Sequence, residues 1–225
     1  LSAAGRQNPS QAAESLEKLC RVYWFPLYRY IRHQGESPQD AQDLTQEFFA
    51  RLLEKNFLGS VDESKGRFRS FLLASLKHFL SNQRDRAGAQ KRGGGQIHLP
   101  LDFSDAESRV GCQPADEQTP EKAFEKRWAL TLLDQTLGRL RREYSERGKE
   151  ALFEQLKTTL TEGRGGVAYA DLSARLRISQ AAVKMAVLRL RQRYREVLRL
   201  EIAETVAEES EVEAELREVF RALSH

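Results

Sequence analysis

The chain has 225 residues, 40% of them hydrophobic, 8% aromatic and 31% charged, with a net charge of +3. That length allows one large or two small domains, and the composition favours a helical, well-solvated protein over a β-rich one. Two cysteines in unlike contexts, Cys20 and Cys112, and the lack of any apolar run near the ~18 residues of a membrane span argue against a disulfide scaffold, a zinc site and a membrane protein. No secretory pattern opens the chain, so the cytoplasm is the expected compartment. Leu1 in place of Met is read as a fragment or processed end.

In chain order, the first start signal is Asn8-Pro9-Ser10-Gln11: a capping side chain, proline at the first helical position and a polar residue three on. It opens a helix through LEKLCRVYW, which Pro26 is expected to kink or restart before YRYIRHQG. Ser37-Pro38-Gln39-Asp40 repeats the signal and opens AQDLTQEFFARLLEK, with Ala41, Leu44, Phe48 and Leu52 on one apolar stripe. Gly59 and Gly66 bracket a loop. FRSFLLASLKHFLSNQRDRA follows, with Phe68, Phe71, Leu72, Ser75, Phe79 and Asn82 at helical spacing. From Gly93 to Pro120 glycines, scattered acids and interior prolines show no periodicity, the pattern of a flexible linker. Helical pattern returns in PEKAFEKRWALTLLDQTLGRL, breaks near Gly148, resumes in EALFEQL and breaks again at EGRGG.

The stretch YADLSARLRISQAAVKMAVLRLRQRYRE, from Tyr169 to Glu196, reads as two helices and a tight turn. Val183, Val187, Leu190, Tyr194 and Val197 give the second helix a buried face, Leu172 and Leu176 give the first its facing stripe, and Ile178 is expected to plug the corner. Ser179 caps the second helix. Gln180, Ala181, Lys184, Met185 and Arg189 then point outward, where a helix in a major groove meets base edges: Gln for adenine, Lys or Arg for guanine, Ala or Met for a thymine methyl. Arg191, Arg193 and Arg195 are placed for phosphates. Arg177 stands where many such turns carry glycine and is expected in a left-handed conformation. Eight Lys/Arg against one acid between Arg175 and Arg199 make this a basic module. Eight glutamates between Glu201 and Glu218 reverse the sign, and Ser210 to Glu213 reads as a capping box for a last helix. Ile202, Val206, Val212, Leu216, Val219 and Leu223 give that tail an apolar face. Its acids are read either as a shield over the basic helix or as part of a helix that stabilises the C-terminal domain.

DAQDLTQEFFARLLEK resembles the DAEDLxQExF signature in the second region of bacterial RNA polymerase sigma factors of the sigma-seventy family. FRSFLLASLKHFLSNQRDR resembles the helix that follows it there and engages the minus-ten promoter element. The helix-turn-helix resembles the fourth region, which reads the minus-thirty-five element. The short linker leaves no room for a third helical domain, as in the compact extracytoplasmic-function (ECF) type, and the resemblance spans roughly Ala12 to Arg199. It implies that Asp40, Asp43, Leu44, Gln46, Glu47 and Arg51 grip the clamp helices of the polymerase's largest subunit. Asp40, Asp43 and Glu47 do form one acidic stripe at helical spacing. It further implies that the minus-ten element is held as a single strand. Lys65, Arg67, Arg69, Lys77, Arg84 and Arg86 lie along its backbone, and the loop 59–67 with His78 and Asn82 receives unpaired bases. Family members often carry Asn and Asp at those last two places, so the specificity here is expected to differ. Melting follows from capture of flipped bases, without ATP. The minus-thirty-five role falls to Ser179, Gln180, Ala181, Lys184, Met185, Arg189, Arg191 and Arg193.

The resulting expectation is an all-α protein of two helical domains, an N-terminal helical bundle and a C-terminal helix-turn-helix domain, joined by a flexible linker. The boundaries fall at 8–92 for the polymerase and minus-ten domain, 93–120 for the linker, 121–200 for the helix-turn-helix domain and 201–225 for the acidic extension. Its partners are core RNA polymerase and promoter DNA, with any anti-sigma factor or other regulator on a separate chain. The alternative is a helix-turn-helix regulator that does not bind polymerase and uses its N-terminal helices for sensing or dimerisation. An enzyme is not expected. The four histidines are scattered, and there is neither a Gly-rich phosphate loop nor a nucleophile–base pair. A metal site is not expected for want of a Glu-x-x-His pattern, and no cofactor is implied.

Overall fold

The computed structural model describes residues 9–54, 68–89, 119–161, 169–206 and 208–224. Among these the chain is all-α, with eight α-helices and no strand. They are α1 (Pro9–His33), α2 (Pro38–Glu54), α3 (Phe68–Ala89), α4 (Pro120–Glu146), α5 (Glu150–Leu156), α6 (Tyr169–Leu176), α7 (Gln180–Ala203) and α8 (Val212–Leu223). Short 3-10 turns, Lys157–Leu160 and Glu209–Glu211, follow α5 and precede α8. The loop 59–67 and residues 93–118 of the expected linker lie outside the described residues, as does Cys112.

Local chemistry accounts for most of the helix ends. Pro9, Pro38 and Pro120 each occupy the first helical position, where a missing N–H leaves nothing unsatisfied. At α2 the Asp40 N–H donates to Ser37 Oγ at 3.1 Å, while the Ser37 hydroxyl donates to the Asp40 carboxylate at 2.6 Å. Thr119 caps α4 in the same way, accepting from the Lys122 N–H at 3.3 Å. Gly148, at φ +65°, ends α4. The Gly148 N–H donates to the Ser145 carbonyl at 2.8 Å and the Lys149 N–H to that of Tyr144 at 2.7 Å, the two bonds of a Schellman motif.

Two expectations about helix ends are corrected. α1 does not restart at Pro26 but runs on through it as one helix. An internal proline costs about 3 kcal/mol, but its neighbours Trp24, Phe25, Leu27 and Tyr28 are all buried, and Trp24 stacks on Tyr28 at 5.1 Å. That packing offsets the lost hydrogen bond. The box expected on Ser210 and Glu213 forms instead on Glu208 and Glu211: the Glu208 N–H donates to the Glu211 carboxylate at 3.4 Å, around the 3-10 turn before α8.

The chain divides into two compact units, one of Leu1–Thr131 with Ala203–His225 and one of Leu132–Ile202. In the first, α1 packs on α2. The expected stripe of α2 is buried at Ala41, Phe48 and Leu52 and half-buried at Leu44, and α3 buries Phe68, Leu72, Leu76 and Phe79. Tyr23 meets Phe68 edge-on at 5.5 Å, and Phe48 meets Phe79 at 5.6 Å. The start of α4 adds Phe124 and Trp128, and the C-terminal segment adds Val206, Val212 and Val219.

A charged cluster lies inside this apolar core. Arg69 of α3, only 5% exposed, faces Glu215 at 3.7 Å and Glu218 at 3.8 Å, both on α8, and its guanidinium lies 4.1 Å from the Trp128 ring centre. The Tyr23 phenol is pushed well above its usual value, first by burial and then by the Glu215 charge, with Arg69 opposing. The acids of the C-terminal helix therefore serve the first unit as counter-charge, a role neither sequence-based reading of the tail assigned to them.

The second unit closes on Leu140, Phe153, Leu156, Leu172, Val183, Val187, Leu190 and Val197, with Leu176 and Tyr194 half-buried against them.

Removing one partner of a buried ion pair costs about 3–5 kcal/mol, because the other charge is left desolvated. Arg69→Ala should lower the stability of the first unit by that amount. Both tryptophans, Trp24 and Trp128, lie in that unit, so their fluorescence during urea unfolding reports on it. An unchanged midpoint would show that the cluster contributes nothing.

Candidate nucleic-acid interface

The turn between α6 and α7 is held by two short-range bonds. The Ser173 hydroxyl donates to the Ile178 carbonyl at 2.5 Å, and the Ile178 N–H donates to the Ser173 carbonyl at 3.3 Å. Arg177 sits at φ +54° in the left-handed region, as expected, at a cost of about 1–2 kcal/mol for a residue with a Cβ. Ser179 caps α7, accepting from the Ala182 N–H at 3.2 Å. Ile178 does not plug the corner. It is 39% exposed, whereas Leu172 and Val183 are buried in the core between the helices, with Leu176 packed against them.

On α7 the outward set stands as spaced: Gln180, Ala181, Lys184, Met185 and Arg189 are exposed. Lys184 Nζ lies 5.6 Å from the Tyr169 ring centre, within cation–π range. The basic residues further along sort into two groups. Arg191 is half-buried and donates to the Thr159 carbonyl at 3.2 and 2.6 Å. Arg193 makes a two-pronged pair with Glu143, both contacts at 2.8 Å, and reaches Glu196 at 2.9 Å. These two brace α7 against the turn after α5 and against α4. Arg189, Arg195 and Arg199 lie exposed. Leu188, which the sequence reading passed over, is 57% exposed on the same outward face.

In the first unit, Asp40 is exposed, and Asp43, Leu44, Gln46, Glu47 and Arg51 are half-exposed along α2. Gln39 donates to Asp43 at 3.3 Å. Glu47 accepts from Arg51 and, at 2.5 Å, from Gln83 of α3, while the Arg51 guanidinium lies 4.9 Å from the Phe79 ring centre. Glu47 and Arg51 thus tie α2 to α3 as well as facing outward. On α3, Lys77, His78, Asn82 and Arg84 are exposed, with Lys77 paired to Glu121 at 2.7 Å and Arg84 to Glu36 at 4.0 Å. Arg69 is separated from them, buried against α8. Phe68 and Phe79 are core residues and Phe71 is half-buried. Lys65, Arg67 and the Arg86 side chain lie outside the described residues.

Residues 25–89 match the family model for Sigma-70 region 2, from the second half of α1 to the end of α3. Neither a curated protein nor a solved structure matches the chain. The chain therefore carries a helical domain like the second region of sigma-seventy factors, a match that is general to that family and names no subtype. The six residues expected at the polymerase and the eight expected at the minus-ten strand all fall inside the matched segment, and the helix-turn-helix falls outside it. Among the described residues no group of His, Cys, Asp or Glu is placed to hold a metal ion, and no helix is long and apolar enough to cross a membrane.

The Arg193–Glu143 brace is testable by pH. The hydrogen bond from Arg193 holds the Glu143 carboxyl below the usual carboxylate range. Such a carboxyl stabilises the fold above its unfolded value of about 4.3, and the contribution is lost as pH falls through the lower folded value. Glu143→Gln should therefore flatten the acid limb of the stability profile, followed by far-UV circular dichroism in urea. An acid limb identical to that of the parent would remove the brace.

Proposed function

We propose that the protein is an RNA polymerase sigma factor of the compact ECF type, acting in the cytoplasm as the promoter-specificity subunit of the enzyme. The observation that carries this reading is the Sigma-70 region 2 match over α1–α3, on which the acidic stripe of α2 stays solvent-facing. Asp40, Asp43, Leu44, Gln46, Glu47 and Arg51 dock on the clamp helices of the largest polymerase subunit. Lys77, His78, Asn82 and Arg84, with Lys65, Arg67 and Arg86, hold the minus-ten element as a single strand. Basic groups follow its backbone and polar groups select its unpaired bases. In the second unit the exposed start of α7, from Ser179 to Arg189, enters the major groove of the minus-thirty-five element.

Pairing and exposure support a division of labour among the cations. Arg69, Arg191 and Arg193 are engaged within the fold, so their roles are to position helices. Backbone neutralisation falls to Arg189 and Arg195, which are exposed, and to Lys77 and Arg84, whose ion pairs with Glu121 and Glu36 lie at the surface and can be exchanged for phosphate. Promoter opening needs no chemistry by the protein itself. Bases captured outside the duplex are bound in preference to paired ones, and polymerase binding brings the surfaces into use.

Run-off transcription with purified core polymerase decides the matter. The protein should direct initiation at a defined promoter, and Asp43→Ala should weaken core binding while leaving duplex binding by the helix-turn-helix unchanged. A protein that binds duplex DNA but neither binds core nor directs initiation would be an ordinary helix-turn-helix regulator. For Lys184→Ala the expected loss is about 1–3 kcal/mol of upstream-element binding with relaxed preference at one base pair, read by fluorescence anisotropy on single-substituted duplexes.

A further inference from the structure

Leu188 and Ile178 turn the outward face of α7 from a polar surface into an apolar ridge. Ala181, Met185 and Leu188 follow one another at spacings of four and three residues, so they stand on one line of the helix. Met185 is 48% and Leu188 57% exposed, and Ile178, in the turn before the helix, is 39% exposed. Single exposed apolar residues are ordinary on protein surfaces; a continuous run at the leading end of one helix is not. Lys184 lies on one flank of the ridge and Arg189 on the other, both exposed, with Arg195 and Arg199 further along.

Charge decides what such a ridge fits. A second copy of the chain would bring the flanking cations of two ridges together, an unfavourable pairing of like charges. A duplex offers the complement: guanine edges and phosphates for the flanking cations, and one apolar feature on its floor, the C5-methyl of thymine. From Ala181 to Leu188 the ridge covers about 10 Å at helical rise, or roughly three base steps. We infer that Met185, Leu188 and Ile178 read thymine methyl groups, so that the duplex element bound by α7 bears thymine at adjacent steps beside the base pair read by Lys184, with Arg189 on the phosphates.

The inference rests on the reading of α7 as a duplex-binding helix, and uracil separates the two. The full-length protein is used to enrich binders from a randomised duplex library, and the enriched duplex is remade with uracil in place of thymine, which removes the methyl groups and nothing else. Binding should fall about fourfold for each methyl contacted, the factor expected for one buried methyl-sized group. Leu188→Ala and Met185→Ala should bind the thymine duplex more weakly and discriminate less between thymine and uracil. Both residues are exposed, so neither change disturbs the core. Equal binding of the two duplexes by the parent protein overturns methyl reading while leaving duplex binding intact. Failure to enrich any duplex overturns both, as does a ridge that mediates self-association abolished by Leu188→Ala.

Discussion

A guanidinium buried in an apolar core is the constraint on which the first unit depends. Stripping water from a buried guanidinium is costly, so Arg69 needs anions within the fold. Both anions, Glu215 and Glu218, come from the last helix of the chain, and the flat face of Trp128 comes from α4. Without those pieces the helices that match Sigma-70 region 2 would enclose an uncompensated charge. The unit is therefore discontinuous in sequence for a physical reason: residues 203–225 supply what the core of 9–131 lacks.

The second unit solves a milder form of the same problem. Its helix α7 is rich in arginine, and a helix with so many like charges needs some of them neutralised before it can pack. Arg191 and Arg193 turn back onto the Thr159 carbonyl and the Glu143 carboxylate, pinning α7 to neighbouring elements. The remaining cations face outward. The sequence spacing separates them only in part, since Arg191, Arg193 and Arg195 are two residues apart and progress around the helix by about 200° per step. Partners, not spacing, separate the arginines that brace α7 from Arg189 and Arg195, exposed on its surface.

Helix type and most helix ends were legible because their causes are local. A proline after Asn, Ser or Thr, a glycine that takes positive φ and an apolar residue every three or four positions all act within one or two turns. The inward face of α7 followed for the same reason, and so did the strained Arg177. What was not legible acts over distance. Nothing near FRSFLLASL marks Arg69 as buried, because its acidic partners, Glu215 and Glu218, lie 146 and 149 positions away in a stretch whose acidity resembles a solvated face. Ile178 looked like a corner plug by hydrophobicity alone, yet Leu172, Leu176 and Val183 are the residues that pack into that core. Pro26 looked like a break because local propensity ignores the aromatic packing on both sides of it. Of the candidate contact residues, those on α2 and at the start of α7 fall where spacing put them, whereas the arginines sort by tertiary partners that spacing does not encode.

The double character of the acidic tail bears on how its role is to be separated from its structure. Glu215 is buried and Glu218 nearly so, whereas Glu209 is exposed. Cutting the chain after Leu200 would remove Val206, Val212 and Val219 from the core together with both counter-charges of Arg69. A truncated protein that failed to bind a promoter would therefore have lost a folded unit and would say nothing about charge. Substituting an exposed acid such as Glu209 changes the field of the tail by one charge and leaves the buried cluster in place. Any effect of that change must act through long-range electrostatics, which weaken with salt over a Debye length of about 8–10 Å. Salt sensitivity is thus the property that distinguishes an acidic tail acting on nucleic acid from one acting only as the missing wall of its own core.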